Sequence, residues 1–202
     1  MLSAEKFDPF VSEWISFSKN PNYNLVEKCL KMAQILEYPE LNISKYVEKI
    51  NEMGNSLKIK IGQVKNSTYH ISMLNEYLFD ELGFDGAEED YYDPGNSFLN
   101  VVLDKKTGIP ITLSIIYAEV AKSIGLDLQI IGFPGHVIVK YKEEIILDPF
   151  YSGRLLTIED LEEILTRNFG EVVEFIPEYL NEATVDQLLT RLLRNLKNAY
   201  TQ

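Results

Sequence analysis

Cysteine is almost absent from this chain, since Cys29 is the only one among 202 residues. A disulfide within the chain is therefore impossible, and such a chain is typical of the cytoplasm, where we expect this protein to work. Cys29 falls on the apolar face of a predicted helix, which favours a buried and unreactive thiol. We therefore expect no chemical role for this cysteine.

Positive charge, histidine and long apolar runs are also scarce. The 19 basic and 31 acidic residues give a formal net charge of −12, which argues against nucleic acid as a partner. No apolar run approaches the roughly 18 residues that a membrane helix needs, and residues 1–10 lack the pattern of a signal peptide. No Cys-x-x-Cys or His-x-x-x-His motif is present, so we expect neither a metal nor a cofactor.

What the chain does have is apolar residues, 46% of the total, which is enough for a real core. Their spacing of three and four predicts helices through the first half, with Ser3 and Asn24 as caps of the first two. Gly54 is expected to weaken or end the third helix, and Gly83 to end the fourth. The predicted helices in this half cover about residues 3–18, 24–38, 44–53 and 69–82.

The second half begins with an acidic, tyrosine-bearing loop, and Asn96 and Ser97 are then expected to cap a short helix. A helix follows Pro110, over about residues 111–124, and we expect it to be central because it is apolar on nearly every side. The apolar period then changes to two, with a turn at Glu143-Glu144, which predicts an antiparallel meander. Helices are expected again over about residues 157–168 and 184–200.

Two histidines are the only candidates for acid–base chemistry. His70 lies at the start of a predicted helix and is expected to be a surface or packing residue. His136 opens a predicted strand, and the turn at Glu143-Glu144 would return Asp148 to its neighbourhood. An aspartate on one imidazole nitrogen forms the base half of a catalytic triad. A contact that merely ties two strands together is an equally good interpretation.

The order of short motifs resembles the transglutaminase-like superfamily, and more closely its SirB-type bacterial branch. The likeness covers roughly residues 70–200, and in longer relatives a tetratricopeptide-like tail follows. The motifs are Asp90-Tyr91-Tyr92-Asp93-Pro94-Gly95-Asn96-Ser97-Phe98-Leu99-Asn100, Gly108-Ile109-Pro110-Ile111-Thr112-Leu113-Ser114, Tyr117-Ala118-Glu119-Val120-Ala121, Ile124-Gly125-Leu126, Gly132-Phe133-Pro134-Gly135-His136, Asp148-Pro149-Phe150 and Leu192-Leu193-Arg194-Asn195-Leu196-Lys197.

The resemblance implies an α+β fold, with a papain-like core of one central helix on a small antiparallel sheet and an N-terminal helical region. We expect residues 1–66 to form that helical region and residues 67–202 the core with the C-terminal helices, together as one compact unit. In the family a Gly-x-Cys begins the central helix, and histidine and aspartate come from the following strands. His136 and Asp148 match these two, whereas Pro110 stands in the position of the cysteine.

Thr112 and Ser114 are the hydroxyls near the missing nucleophile. A helix dipole does not ionise a hydroxyl, so either would need a direct hydrogen bond to His136. A hydroxyl in a helix more often bonds to the backbone.

Three functional hypotheses follow. The first is a non-catalytic domain that binds a protein or peptide in the cleft of the fold and would serve a regulatory role. Enzymatic activity is therefore not the favoured expectation. The second is a hydrolase or acyltransferase that uses Thr112 or Ser114 with His136 and Asp148. The third is a regulatory subunit whose partner binds the C-terminal helix. The residues expected to line the cleft are Tyr91, Tyr92, Asn96, Pro110 and Phe133.

Overall fold

A computed structural model describes residues 9–170 and 173–201, so the predicted helix start at Ser3 lies outside the described residues. Helices fill the first part of the described chain, and a small antiparallel sheet follows the central helix. The helices are α1 (Pro9–Ser18), α2 (Leu25–Leu36), α3 (Ile43–Ile61), α4 (Ser67–Asn75), α5 (Leu99–Lys105), α6 (Pro110–Ser123), α7 (Ile158–Phe169) and α8 (Val185–Thr201). The strands are β1 (Asp85–Gly86), β2 (Thr107–Gly108), β3 (Gln129–Ile131), β4 (Ile138–Tyr141), β5 (Ile145–Asp148) and β6 (Arg154–Leu155).

The start of α2 has the local chemistry that its sequence predicts. The Asn24 side chain accepts from the backbone N–H of Glu27 at 2.9 Å, and the Glu27 carboxylate accepts from the backbone N–H of Asn24 at 2.8 Å. This reciprocal pair satisfies two backbone donors that the helix itself leaves free. The helix therefore starts where expected.

Gly54 does not end the third helix, contrary to the sequence-based expectation. It lies in the middle of α3, which continues to Ile61. A Cβ at Gly54 would lie 2.1 Å from Ser123 Oγ on α6, so the glycine allows these two helices to approach closely. The residue that looked like a helix stop is a packing residue.

Two further helix boundaries also differ from the expectation. The fourth helix begins at Ser67 as α4 and continues through a π-helical segment, Glu76–Glu81, before Gly83 ends it with φ of 71°. Asn96 and Ser97 do not cap α5. They belong to a 3-10 turn, and Phe98 occupies the N-cap position of α5 without a side-chain bond. The N-cap position of α5 comes after both residues, so neither is placed to cap this helix.

The helix after Pro110 is central, as its apolar pattern predicts. Ten of the fourteen residues of α6 are buried, more than in any other described helix. Pro110 begins the helix, where its missing N–H costs no hydrogen bond. The expected core residues Leu113, Ile116 and Val120 are each at most 2% exposed.

The sheet has the order β3-β4-β5-β6 with antiparallel neighbours. The meander of β3, β4 and β5 was expected, and the turn between β4 and β5 contains Lys142 at φ of 54°. The edge strand β6 and the parallel pair of β1 with β2 were not expected. Each has two residues, which is too short to leave a periodic signal in the sequence.

One large apolar core joins the N-terminal helices to α6, α8 and one face of the sheet. It contains residues from both expected regions, from Val26 to Leu196. A smaller cluster on the other face of the sheet is built around Ile131 and Phe133 and is covered by Leu161 and Leu165 of α7. The sheet is thus packed on both faces, which fixes the position of the loops at its edge.

Candidate functional site

A cleft of about 580 Å³ opens beside the start of α6. This volume lies within the usual range of ligand sites. Of the residues expected to line it, Tyr91, Tyr92 and Pro110 do so, and His136 joins them. The full lining is Glu88, Tyr91, Tyr92, Pro110, Gly135, His136, Phe150, Tyr151, Ile164, Arg167 and Asn168.

His136 and Asp148 are in direct contact, as the strand turn predicts. His136 Nε2 lies 2.8 Å from Asp148 Oδ2, and the aspartate side chain is only 1% exposed. The carboxylate favours the tautomer with the proton on Nε2, so Nδ1 is the nitrogen left for a ligand. This is the geometry of a base and its orienting carboxylate, and it also ties the two strands together.

The loop before His136 is held from two sides. Arg191 Nη1 on α8 donates to the carbonyl oxygen of Phe133 at 2.9 Å. Gly135 has φ of 75°, and a Cβ there would lie 2.2 Å from Asn168 Nδ2 on α7. Only glycine fits at this position without moving α7. The two helices therefore fix where His136 points.

The loop after Asp148 is held equally firmly. The other carboxylate oxygen, Oδ1, accepts from the backbone N–H of Phe150 at 3.0 Å. Asn75, where α4 becomes π-helical, donates to the carbonyl oxygen of Gly153 at 3.1 Å and accepts from the Tyr117 hydroxyl at 2.6 Å. This amide connects the central helix to the loop that carries the aspartate, so both members of the pair are preorganised.

Aromatic rings form a continuous wall along the cleft. Tyr92 meets Tyr91 at 5.3 Å between ring centroids, and Tyr91 meets Phe150 at 6.2 Å. Phe150 in turn meets His136 at 6.0 Å and Tyr151 at 5.0 Å. These separations are those of favourable aromatic pairs. The His136 ring is thus one member of an aromatic surface.

Pro110 forms the helix side of the cleft, at the position where the family resemblance predicts a cysteine. Pro110 occupies that position, is buried, and lines the cleft. The preceding Gly108 is tightly packed, since a Cβ there would lie 2.8 Å from both Thr112 Oγ1 and Val102 Cγ1. Pro110 thus presents a ring without a nucleophilic atom to the cleft, next to a tightly packed glycine.

The structure does not bring the candidate hydroxyls to His136. Thr112 Oγ1 lies 2.9 Å from the carbonyl oxygen of Asn96 and 3.1 Å from that of Ile109, and it accepts from the Ile109 N–H at 3.1 Å. Ser114 Oγ donates to the carbonyl oxygen of Val137 at 3.4 Å. Both residues are fully buried. Within the described chain, neither hydroxyl forms a hydrogen bond with His136.

Asn96 and Phe133 do not line the cleft, which corrects the expectation for both. The Asn96 amide donates to the carbonyl oxygen of Asp90 at 2.7 Å and so shapes the tyrosine-bearing loop from inside. The Phe133 ring is fully buried and meets Tyr179 at 6.0 Å on the other face of the sheet. Asn96 thereby positions the backbone next to Tyr91, and Phe133 anchors the loop that leads to His136.

The remaining candidates lie away from the cleft. His70 Nε2 is 2.7 Å from the carbonyl oxygen of Val64, which fits the expected surface role. Cys29 is 1% exposed, and burial raises the pKa of its thiol to about 12. The expected buried thiol is therefore confirmed.

Residues 9–170 and 173–201 contain neither a metal-binding cluster nor a membrane-spanning helix. No group of three or more histidine, cysteine or acidic side chains is arranged to hold a metal ion there. In the same ranges, no helix has the length and apolarity needed to cross a membrane.

A larger groove of about 800 Å³ runs along α8. It is lined by polar side chains of that helix, among them Arg191 and Arg194, and by the segment that includes Glu178 and Glu182. Neither His136 nor Asp148 reaches it. Its size alone does not make it the functional site, because none of the candidate catalytic side chains lines it.

Sequence reasoning missed several residues of the cleft. Phe150 and Tyr151 directly follow the Asp148-Pro149 motif, so an aromatic pair beside the predicted aspartate was the available signal. Arg167 reaches the cleft from α7, and no local pattern in the sequence connects that helix with the site. Its placement depends on how α7 packs against the sheet.

Comparison with known proteins now identifies the family. The family model described as the transglutaminase-like superfamily matches residues 44–194. The chain belongs to this superfamily. The matched range includes Pro110, His136 and Asp148.

Relatives come from bacteria and from mammals. A UPF0162 protein of Xylella fastidiosa is 34% identical over 170 residues, which are 81% of this chain and 60% of that protein. The UPF0162 protein PA3419 of Pseudomonas aeruginosa is 30% identical over 122 residues, 60% of this chain and 45% of that protein. Human F-box only protein 21 is 27% identical over 181 residues, 81% of this chain and 28% of that protein.

The bacterial relatives fit the expected bacterial branch, while the name SirB-type stays a prediction. The chain spans about 60% of the length of the Xylella fastidiosa proteins that it matches. No solved structure matches the chain significantly.

Proposed function

We propose that this chain is a non-catalytic transglutaminase-like domain that binds a segment of a protein partner in the cleft beside His136. The observation that carries the proposal is Pro110, which lines the cleft where the family has its cysteine. A proline side chain has no nucleophilic atom, so the covalent step of the family chemistry has no acceptor there.

The aromatic wall supports a binding role. Tyr92 and Tyr151 are 54% and 40% exposed, and Tyr91 lies half-buried between Tyr92 and Phe150. Tyrosine supplies large, rigid contact area with a polar end, which is why it is enriched at protein interfaces. A flexible segment that crossed this surface would bury apolar area against rings that are already held in place.

The hydroxyl-dependent alternative has no comparable support. Thr112 and Ser114 would each have to break an existing bond to the backbone before either could approach His136. Breaking such a bond in a fully buried site costs about 1–3 kcal/mol. The geometry therefore favours a structural role for both hydroxyls.

The composition of the whole chain also favours one class of partner and one cellular compartment. With a net charge of −12, the chain favours a protein or peptide partner over nucleic acid. The single, buried cysteine supports our further proposal that the protein works in the cytoplasm and has a regulatory role there. Both statements rest on the sequence more than on the cleft.

Selection of random peptides tests the proposed function. Ten-residue random sequences, displayed between flexible linkers, are selected on the purified chain and on a variant with Tyr92→Ala and Tyr151→Ala. We expect the chain to enrich peptides that the variant no longer binds. A Tyr200→Ala variant is the matched control, because Tyr200 is equally exposed at 59% but lies on α8, outside the cleft lining. Enrichment that survives loss of both cleft tyrosines would contradict the proposal.

A further inference from the structure

Two charged side chains in the cleft have no partner within the described chain. Glu88 lies on the tyrosine-bearing loop and Arg167 in the last turn of α7, and both are exposed. Neither side chain takes part in any ion pair or hydrogen bond among the described residues. They line the same cleft without neutralising each other.

Arg167 has no ion-pair partner among the described residues although the chain is acidic. Acidic residues outnumber basic ones by 31 to 19, so free carboxylates are abundant, yet none of the described ones pairs with Arg167. A guanidinium presents five N–H donors in a planar fork that matches a carboxylate with two parallel bonds. The chemical group that Arg167 fits best is therefore a carboxylate from outside the described chain.

The neighbours of Arg167 define the rest of the ligand. Its helix packs on the loop that carries His136, because Asn168 lies against Gly135. His136 Nδ1 is left for a ligand, since Nε2 is held by Asp148. The aromatic wall runs from His136 to Tyr92. One cleft thus combines a cation, a polar ring nitrogen and a long apolar surface.

We propose that the cleft recognises a segment of a partner protein in which an acidic side chain pairs with Arg167 and a neighbouring apolar side chain packs on the aromatic wall. This inference rests on the proposed function, since it names the kind of segment that the cleft binds. Glu88 favours one orientation of the bound segment, because its carboxylate repels an acidic residue on its own side of the cleft. The partner supplies the carboxylate and the domain supplies the cation.

Charge reversal in the same peptide selection tests this inference. The selection is run on the wild-type chain, on Arg167→Glu and on Arg194→Glu. Arg194 is the matched control, since it is an exposed arginine on α8 that lies outside the cleft and forms no ion pair among the described residues. Circular dichroism and thermal unfolding confirm that each variant is folded.

We expect wild type and Arg194→Glu to enrich peptides with Asp or Glu at one recurring position. Arg167→Glu should bind those peptides about tenfold more weakly, because a charge-assisted bond is lost. It should select Lys or Arg at the same position instead. Peptides that bind through the two cleft tyrosines but show no acidic position, or that bind Arg167→Glu equally well, would overturn the inference and leave the proposed function standing. No tyrosine-dependent enrichment at all would overturn both.

Discussion

The two sides of the cleft differ in the reactive groups that they offer. On the sheet side, His136 and Asp148 lie 2.8 Å apart, and both neighbouring loops are held by helices. On the helix side, Pro110 offers no nucleophilic atom and the Thr112 hydroxyl is bonded to the backbone. A polar pair that satisfies its own hydrogen bonds keeps a structural value without catalysis. This difference supports our proposal that the cleft binds a segment of a protein partner.

The largest expected effect comes from α6, which supports both sides. Val120 is fully buried in this helix, so Val120→Asp places a charge in the core without a partner. Such a charge costs several kcal/mol, comparable to the whole stability of a domain. We expect the variant to be unfolded by circular dichroism at 25 °C. Lys122→Asp, an exposed change in the same helix, is the control. A folded Val120→Asp variant with an unchanged melting temperature would show that α6 is not central.

The next largest effect belongs to the sheet side. Asp148→Ala removes the acceptor of both His136 Nε2 and the Phe150 N–H. Leaving the buried Phe150 N–H and the partly buried His136 donor unpaired is expected to cost about 1–3 kcal/mol in the free energy of unfolding, measured in urea. His136→Ala should also lower stability while the fold is retained.

Nitrogen NMR of the imidazole provides an independent readout of the same pair. The wild-type ring should show the proton on Nε2, and Asp148→Ala should allow both tautomers. An unchanged free energy of unfolding together with an unchanged tautomer would show that the pair contributes nothing to the sheet side.

The helix side should respond to loss of a hydroxyl in stability and not in binding. Thr112→Val keeps the shape of the side chain but removes the bonds to Asn96 and Ile109. We expect a loss of about 1–2 kcal/mol, the usual value of a capping interaction, with affinity for selected peptides unchanged. Thr112→Ser retains the hydroxyl and should lose less. Peptide binding that fell with Thr112→Val at unchanged stability would place this hydroxyl in the ligand site.

The sequence predicted features that depend on neighbouring residues and missed those that depend on packing. The Asn24–Glu27 capping box and the hairpin that joins His136 to Asp148 are local, so residue types and spacing were sufficient. Gly54 was misjudged because its role is set by Ser123, 69 positions further along the chain. Arg167 was missed for the same reason, since only the packing of α7 brings it to the cleft.

The sequence also did not reveal which side chains beside the cleft are buried. Asn96 and Phe133 stand beside cleft residues in the sequence, and a motif does not reveal which face each side chain takes. The structure turns both inward. The family resemblance correctly predicted the fold. Which side chains line the cleft depends on how the loops and α7 pack, and no motif encodes this.

The smallest effect concerns the one sulfur nucleophile, which lies outside the cleft. Burial raises the pKa of Cys29 to about 12, whereas an unfolded thiol ionises near about 8.5. Folding therefore favours the protonated thiol, so its contribution to stability is complete below the unfolded pKa and is lost as pH rises toward 12.

We expect the native thiol to resist alkylation at pH 8 and to react in urea. Cys29→Ala should lose stability less steeply than wild type between pH 8 and pH 11. Rapid alkylation of the native chain would contradict this, because it would show that the Cys29 thiol is accessible and reactive in the folded protein.

The central claim, that the cleft binds without a nucleophile, is tested most directly by a β-lactone probe that acylates activated serine and threonine hydroxyls. The probe is incubated with the native chain and with His136→Ala, and intact mass spectrometry measures the increase in mass. We predict no labelling of either protein, because Thr112 and Ser114 are buried and bonded to backbone carbonyl oxygens. Stoichiometric labelling of Thr112 or Ser114 that disappears in His136→Ala would contradict the claim and establish a hydroxyl-dependent enzyme.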